Sequence, residues 1–196
     1  MKMTKRNDDE ILAFIEPFFT VQFQKSCEAI HALCMDHAVE FCEACLMPLQ
    51  KLFQNAEELQ QTGQKSEIYY VYISYLRSSL ITGSYEIRVD LYGEDFWLDD
   101  NPITEYITIP YLFGFYKEDI SEFQRLLKKE FIRFMPEEIE PVTQAYCEYY
   151  FSLVTKVFED FYEQIICLGV PVCKPNETEI YVGEYMGKCV KLGGGE

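Results

Sequence analysis

The fold depends most on residues 76–91, which read LRSSLITGSYEIRVDL. Apolar and polar residues alternate over 85–91, the pattern of a strand with one buried face. Gly83 and the serine after it are typical of a two-residue type II′ turn, which requires a positive φ at the glycine. The stretch therefore predicts an antiparallel hairpin whose register places Arg77 opposite Asp90 on the polar face.

The segments on either side of this hairpin predict an α+β fold. Helical periodicity covers 8–61, where Pro17 and Pro48 are each expected to kink or split the helix. Aromatic and β-branched residues then cover 68–109 and predict a central antiparallel sheet of about three strands, the third around 105–109. Two amphipathic helices, within 117–168, are expected to pack on the apolar face of that sheet. A short strand, hairpin or irregular tail is predicted for 178–196.

Composition indicates an acidic globular protein. The chain has 196 residues, 48% of them hydrophobic, and a formal net charge of −16. This length and apolar content suit a single globular domain, 1–196. The charge repels nucleic acid and anionic membrane surfaces and favours a basic protein partner, so we expect binding to neither nucleic acid nor membrane. Composition does not indicate an oligomeric state.

The cysteines and the N-terminal segment bear on the cellular compartment. Eight cysteines could pair in a secreted protein. The first ten residues, however, are followed by an apolar run that contains Glu16 and Pro17, which differs from a secretory signal. We therefore expect free thiols and a soluble protein of the cytoplasm.

One segment with helical periodicity concentrates metal-ligating residue types on a single side. At helical spacing the five residues of this cysteine/histidine cluster fall within one narrow arc. They are Cys27, His31, Cys34, Cys42 and Cys45. The same arc carries Ile30 and Phe41, so buried thiols acting as small hydrophobic groups are the preferred interpretation. A metal-binding protein that uses the cluster is the alternative.

The polar face of the predicted hairpin and the only tryptophan supply the remaining candidate residues. Arg77, Arg88 and Asp90 could contact a ligand, and Trp97 lies in an acidic turn where an aromatic anchor suits an interface. No catalytic motif accompanies them, and no cofactor is predicted. The leading hypothesis is a non-catalytic interaction or regulatory protein that binds a basic partner through Trp97, Arg77, Arg88 and Asp90. A second alternative is an enzyme with a site near the polar hairpin face.

Overall fold

The computed structural model describes residues 7–193 and has an α+β fold. The helices are α1 (Asp8–Asp36), α2 (Ala38–Gln61), α3 (Arg77–Thr82), α4 (Tyr116–Glu130), α5 (Glu140–Asp160) and α6 (Tyr162–Gly169). The strands are β1 (Tyr70–Tyr75), β2 (Glu86–Tyr92), β3 (Ile103–Thr108), β4 (Glu179–Glu184) and β5 (Cys189–Lys191). Single 3-10 turns cover Phe96–Leu98 and Pro136–Ile139. No helix within residues 7–193 is both long enough and apolar enough to span a membrane.

The chain divides into two compact units. Unit 1 contains the described residues up to Ala38 together with Tyr111–Ser152. Unit 2 contains Val39–Pro110 and the described residues from Leu153 onward. The sheet belongs to unit 2, and α1 and α4 belong to unit 1. The expectation that the chain folds as a single domain stays a prediction.

The first helical section is interrupted at His37 rather than at its prolines. Pro17 lies inside α1 and Pro48 inside α2, so neither proline splits the helical section, and the alternative that each kinks it stays a prediction. A proline removes only one helical hydrogen bond. Buried residues on both sides, such as Ile15 and Phe19 around Pro17, keep each helix packed across it. His37 leaves the helical conformation, with φ −120° and ψ 37°.

Unit 1 has an aromatic core between its helices. Phe19 of α1 lies 5.1 Å from Phe123 of α4 and 5.0 Å from Tyr146 of α5, measured between ring centroids. The rings of Phe123 and Tyr146 meet edge to face at 4.7 Å. These large buried rings pack the three helices against one another.

The sheet of unit 2 has five strands in the order β3-β2-β1-β4-β5. The predicted third strand is confirmed as β3, and of the alternatives left open for 178–196 the hairpin is observed, as β4 and β5. The expectation of about three antiparallel strands is corrected in two ways: the sheet is larger, and β1 runs parallel to β4. One face of the sheet is apolar and carries Val71, Ile73, Val89 and Ile180.

The hairpin predicted for 76–91 is wrong in its first strand. Arg77–Thr82 is a helix, and the strand that pairs with β2 lies earlier, in the aromatic run of β1. Gly83 has the predicted positive φ, 74°, but it ends α3 in the left-handed conformation instead of forming a two-residue turn. A helix C-terminus and a type II′ turn both favour a glycine with positive φ, so the residue type alone does not distinguish them.

The placement of the later helices also differs from the prediction. The helix expected from Lys117 is confirmed as α4, but it lies in unit 1, where it packs against α1. The helix expected to start near Pro141 is observed as α5 followed by α6. The expectation that both amphipathic helices cover the sheet is therefore corrected for α4.

Candidate partner-binding surface

The other face of the sheet carries an ion pair between two of the predicted site residues. Arg88 and Asp90 lie two positions apart on β2 and therefore point to the same side. The Arg88 Nε atom donates to both carboxylate oxygens of Asp90, at 2.9 and 2.8 Å. Thr104 of β3 donates to the same carboxylate at 2.5 Å. The hydrogen bond to Asp90 raises the pKa of Arg88, so the guanidinium stays charged.

Burial limits what these two residues can contact. Asp90 is 0% exposed, so it reaches a partner only through Arg88. The Arg88 guanidinium lies 4.5 Å from the centroid of the Tyr185 ring, a cation–π arrangement. Arg77 is not opposite Asp90, which corrects the predicted register. It lies on α3 and pairs with Glu184, with 2.5 Å between Nε and Oε1.

Trp97 stands on an aromatic cluster that covers part of this face. The cluster consists of Tyr70, Tyr72, Tyr92, Phe96, Trp97, Tyr181 and Tyr185. The Trp97 ring centroid lies 4.9 Å from that of Tyr72 and 5.5 Å from that of Tyr92. Trp97 nevertheless remains accessible to solvent: it is 39% exposed, and the following Leu98 is 81% exposed.

Asp99 closes the loop that carries these two side chains, Gly93–Asn101. One carboxylate oxygen accepts from the Gly93 backbone N–H at 2.6 Å, and the other accepts from the Asn101 N–H at 2.9 Å. Lys65, whose side chain is almost fully buried, donates to Asp99 at 2.5 Å and to the Asn101 carbonyl at 2.6 Å. Both ends of the loop are therefore tied to one ion pair.

These hydrogen bonds affect the pKa of Asp99. Burial raises the pKa of Asp99, but the hydrogen bonds from Gly93, Lys65 and Asn101 outweigh that effect and lower the pKa below its ordinary value.

A glycine at position 93 allows the backbone to lie close to Ser66 and Asp99. A Cβ there would lie 2.8 Å from the Ser66 hydroxyl and 3.3 Å from the Asp99 carboxylate. Lys65 and Asp99 were not among the predicted site residues, because 34 positions separate them in the sequence.

The loop is strongly acidic at its surface. Glu94, Asp95 and Asp100 are exposed and surround Trp97 and Leu98 in the sequence. In contrast to Asp99, none of these three carboxylates forms an ion pair with the described residues. The surface of this loop therefore combines an apolar anchor with negative charge, and we call Gly93–Asn101 the acidic loop.

Unit 1 contains a second polar cluster, centred on a carboxylate that sequence analysis missed. Asp119 of α4 is 1% exposed. It accepts hydrogen bonds from Gln22 at 2.7 Å, Ser26 at 2.9 Å, and the hydroxyls of Tyr146 and Tyr150 at 2.7 Å each. Protein donors surround the charge, so this Asp119 cluster joins α1, α4 and α5 as a structural tie. The sequence signal for this buried carboxylate was the position of Asp119 one helical turn before Phe123, which is buried.

The cysteine/histidine cluster is divided between the two units. Cys27, His31 and Cys34 lie on α1, and Cys42 and Cys45 lie on α2. Burial, with the charges of Asp119 and Glu28, raises the pKa of Cys27, and burial raises that of Cys34. Nowhere in 7–193 do three histidine, cysteine or acidic side chains come together in a way that could hold a metal ion. The metal alternative thus has no assembled ligand set in that part of the chain.

Comparison with known proteins adds no family: no family model, curated protein or solved structure matches this chain.

Proposed function

We propose that this chain is a non-catalytic interaction protein that binds a basic protein partner through its acidic loop. One observation carries the proposal: Trp97 and Leu98 are exposed on a loop whose two ends are tied by Asp99, next to three exposed carboxylates. Tryptophan at the centre of a patch is a typical anchor of interfaces, and Leu98 adds exposed apolar area next to Trp97. The carboxylates around them select a partner with lysine or arginine near its own apolar residue.

The rigidity of the loop favours binding. Association costs free energy whenever side chains or loops become ordered at the interface. Here the Lys65–Asp99 ion pair and the aromatic cluster already hold Trp97 in place. Little ordering remains for the partner to induce, so a modest contact area can give measurable affinity.

The other predicted site residues enter the proposal as supports of Trp97. Asp90 fixes Arg88, and Arg88 stacks on Tyr185. The Tyr185 ring lies 6.2 Å from the Trp97 ring, measured between centroids. Arg77 pairs with the residue before Tyr185 and supports the same segment. We assign these residues a positioning role rather than direct contact with the partner.

Charge over the whole chain adds to the local effect. A net charge of −16 accelerates encounters with a cationic surface and makes binding weaken as salt rises. The proposal includes the cytoplasm as the compartment, because none of the eight cysteines, all within the described residues, forms a disulfide, and reducing compartments maintain thiols.

Selection of peptides from a random displayed library tests the proposal. We expect the protein to enrich peptides that combine an apolar residue with lysine or arginine. Leu98→Ser should weaken binding of a selected peptide about tenfold, because Leu98 is exposed and its loss removes only anchor area. Ile81→Ser is the matched control, since Ile81 is another highly exposed aliphatic residue of unit 2. Enrichment of acidic peptides, or equal weakening by both substitutions, would contradict the proposal.

A further inference from the structure

Unit 2 contains an apolar cavity on the opposite, apolar side of the sheet. Its volume is about 460 Å³. The floor consists of buried side chains from four elements: Phe53 of α2, Val71 of β1, Ile165 of α6 and Ile180 of β4. Small-molecule sites are typically apolar concavities of roughly 300–1,000 Å³ with a few polar groups. The cavity thus has the size and lining of such a site.

The wall next to α6 is uncharged. Cys173 lines the cavity, and burial raises the pKa of its thiol to about 11, so the thiol is protonated at neutral pH. Gly169 allows this wall to pack closely, because a Cβ there would lie 2.8 Å from the Cys173 sulfur and 3.4 Å from the Phe53 ring. An apolar group inside the cavity would meet no charge on this wall.

The polar groups are concentrated in the segment that follows. Lys174, Asn176 and Thr178 line the cavity, and of the described residues that line it Lys174 alone is charged. The Lys174 Nζ atom lies 3.1 Å from a carboxylate oxygen of Glu67, and both side chains are partly exposed. Partly exposed ion pairs contribute little to stability, so another carboxylate can replace Glu67 at small cost. Asn176 adds an exposed amide that can donate two hydrogen bonds.

We infer that this cavity binds a small monocarboxylate with an apolar tail, with the tail against Phe53 and Ile165 and the carboxylate at Lys174. Lys174 distinguishes ligands by charge: an anion that displaces Glu67 gains the charge-assisted hydrogen bond of the lysine, and a cation cannot form that bond. This binding site is independent of the proposed partner surface, which lies on other residues.

Calorimetric titration of the full chain with decanoate, decanol and decylamine tests the inference. We expect decanoate to bind about tenfold more tightly than decanol, the factor of one charge-assisted hydrogen bond, and decylamine to bind most weakly. Lys174→Gln should remove the preference for decanoate and leave decanol binding unchanged. Lys188→Gln is the matched control, because Lys188 is exposed, does not line the cavity and changes the charge equally.

A second variant tests the location of the tail. Val170 is an exposed residue at the cavity, so Val170→Trp should block entry of all three probes without disturbing the core. Val190→Trp adds the same ring at an exposed position of β5 and should leave binding intact. The inference would be overturned if none of the three probes bound or if decylamine bound as tightly as decanoate. It would also be overturned if decanoate still bound to the Val170→Trp variant.

Discussion

Tyr146 donates its phenolic hydrogen bond to Asp119, with 2.7 Å between the hydroxyl and Oδ2. Tyr150, one helical turn later, donates to the same oxygen at the same distance. Two rings of α5 thereby share one carboxylate of α4. A buried charge is stable in a protein only when its hydrogen bonds are satisfied, so these contacts determine how unit 1 responds to mutation and to pH.

Asp119→Asn should lower the free energy of unfolding by about 2 kcal/mol or more, because an amide cannot accept from all the donors that surround this position. Glu118→Gln is the matched control. It removes a neighbouring charge from the same first turn of α4 but is exposed, so we expect a loss of about 0.5 kcal/mol from the helix dipole alone. Denaturant titration measures both. Equal losses would show that Asp119 acts only through the helix terminus.

The same variant tests the single-domain prediction. Trp97 is the only tryptophan and lies in unit 2, whereas Asp119 lies in unit 1. If the chain folds as one domain, Asp119→Asn should shift the tryptophan fluorescence transition and the circular dichroism transition by the same amount. A fluorescence transition that stays at the wild-type midpoint would contradict one-domain folding.

Alkaline pH should destabilise unit 1 through its tyrosines. Burial, with the hydrogen bond to Asp119 and its charge, raises the pKa of Tyr146 and of Tyr150. A phenol with a raised pKa contributes stability that is complete below about pH 10, the unfolded value, and is lost as pH rises above it. The slope should be about 1.4 kcal/mol per pH unit for each tyrosine.

Unfolding titrations between pH 8 and 12, read by circular dichroism, measure this loss for the wild type and for a variant with Tyr146→Phe and Tyr150→Phe. The variant should start less stable and lose stability less steeply, since two ionisations are removed. A wild-type slope that the two substitutions leave unchanged would assign the alkaline loss to other groups.

Acid should loosen the acidic loop through Asp99. Its pKa is lowered from the ordinary value of 3.8, so its contribution is complete above that pH and disappears as pH falls through the folded-state value. Asp99→Asn should reproduce the acid state at neutral pH. We expect greater quenching of Trp97 by acrylamide in both cases, and no change for Asp100→Asn, whose carboxylate is exposed. Equal quenching in the Asp99→Asn and Asp100→Asn variants would show that Asp99 does not hold the acidic loop in place.

The conformation of Gly83 is a further prediction that can be measured. Nothing lies within 4 Å of a Cβ added there, so the cost of Gly83→Ala comes only from its positive φ and should be about 1 kcal/mol. Gly114→Ala, at an exposed turn position without a positive φ, should cost less than half as much. If denaturant titration gives the two variants the same stability, the helix end at Gly83 is wrong.

Local patterns predicted the elements better than their partners. The alternation in β2 identified a half-buried strand correctly, because burial in a strand alternates from one residue to the next and consecutive residues therefore show it. Its partner was misassigned, since the segment before Gly83 is compatible with a strand and with the short helix α3. The parallel pairing of β1 with β4 joins segments more than 100 residues apart, and no local pattern contains that information.

The candidate site shows the same division. Trp97 could be proposed as an anchor from the sequence, because an aromatic residue among acidic ones is visible there. Nothing in the sequence around Lys65, which holds the loop, distinguishes it from a surface lysine. Its burial depends on the distant Asp99 and is therefore a property of the folded chain. Asp119 was visible at a helix position facing the core, but its donors Ser26 and Tyr150 come from two other helices.

The affinity of a synthetic basic peptide, a leucine flanked by lysines, tests whether the acidic loop is the binding surface. One variant combines Glu94→Gln, Asp95→Asn and Asp100→Asn. Its control combines neutral substitutions at three exposed carboxylates of unit 1, Glu118, Glu130 and Glu137. Both variants lose three negative charges, so only position distinguishes them. Measured by calorimetry at low salt, the loop variant should bind about tenfold more weakly than the wild type, and the control less than about twofold more weakly. Equal weakening of both would mean that affinity follows total charge, and would contradict the assignment of the acidic loop as the binding surface.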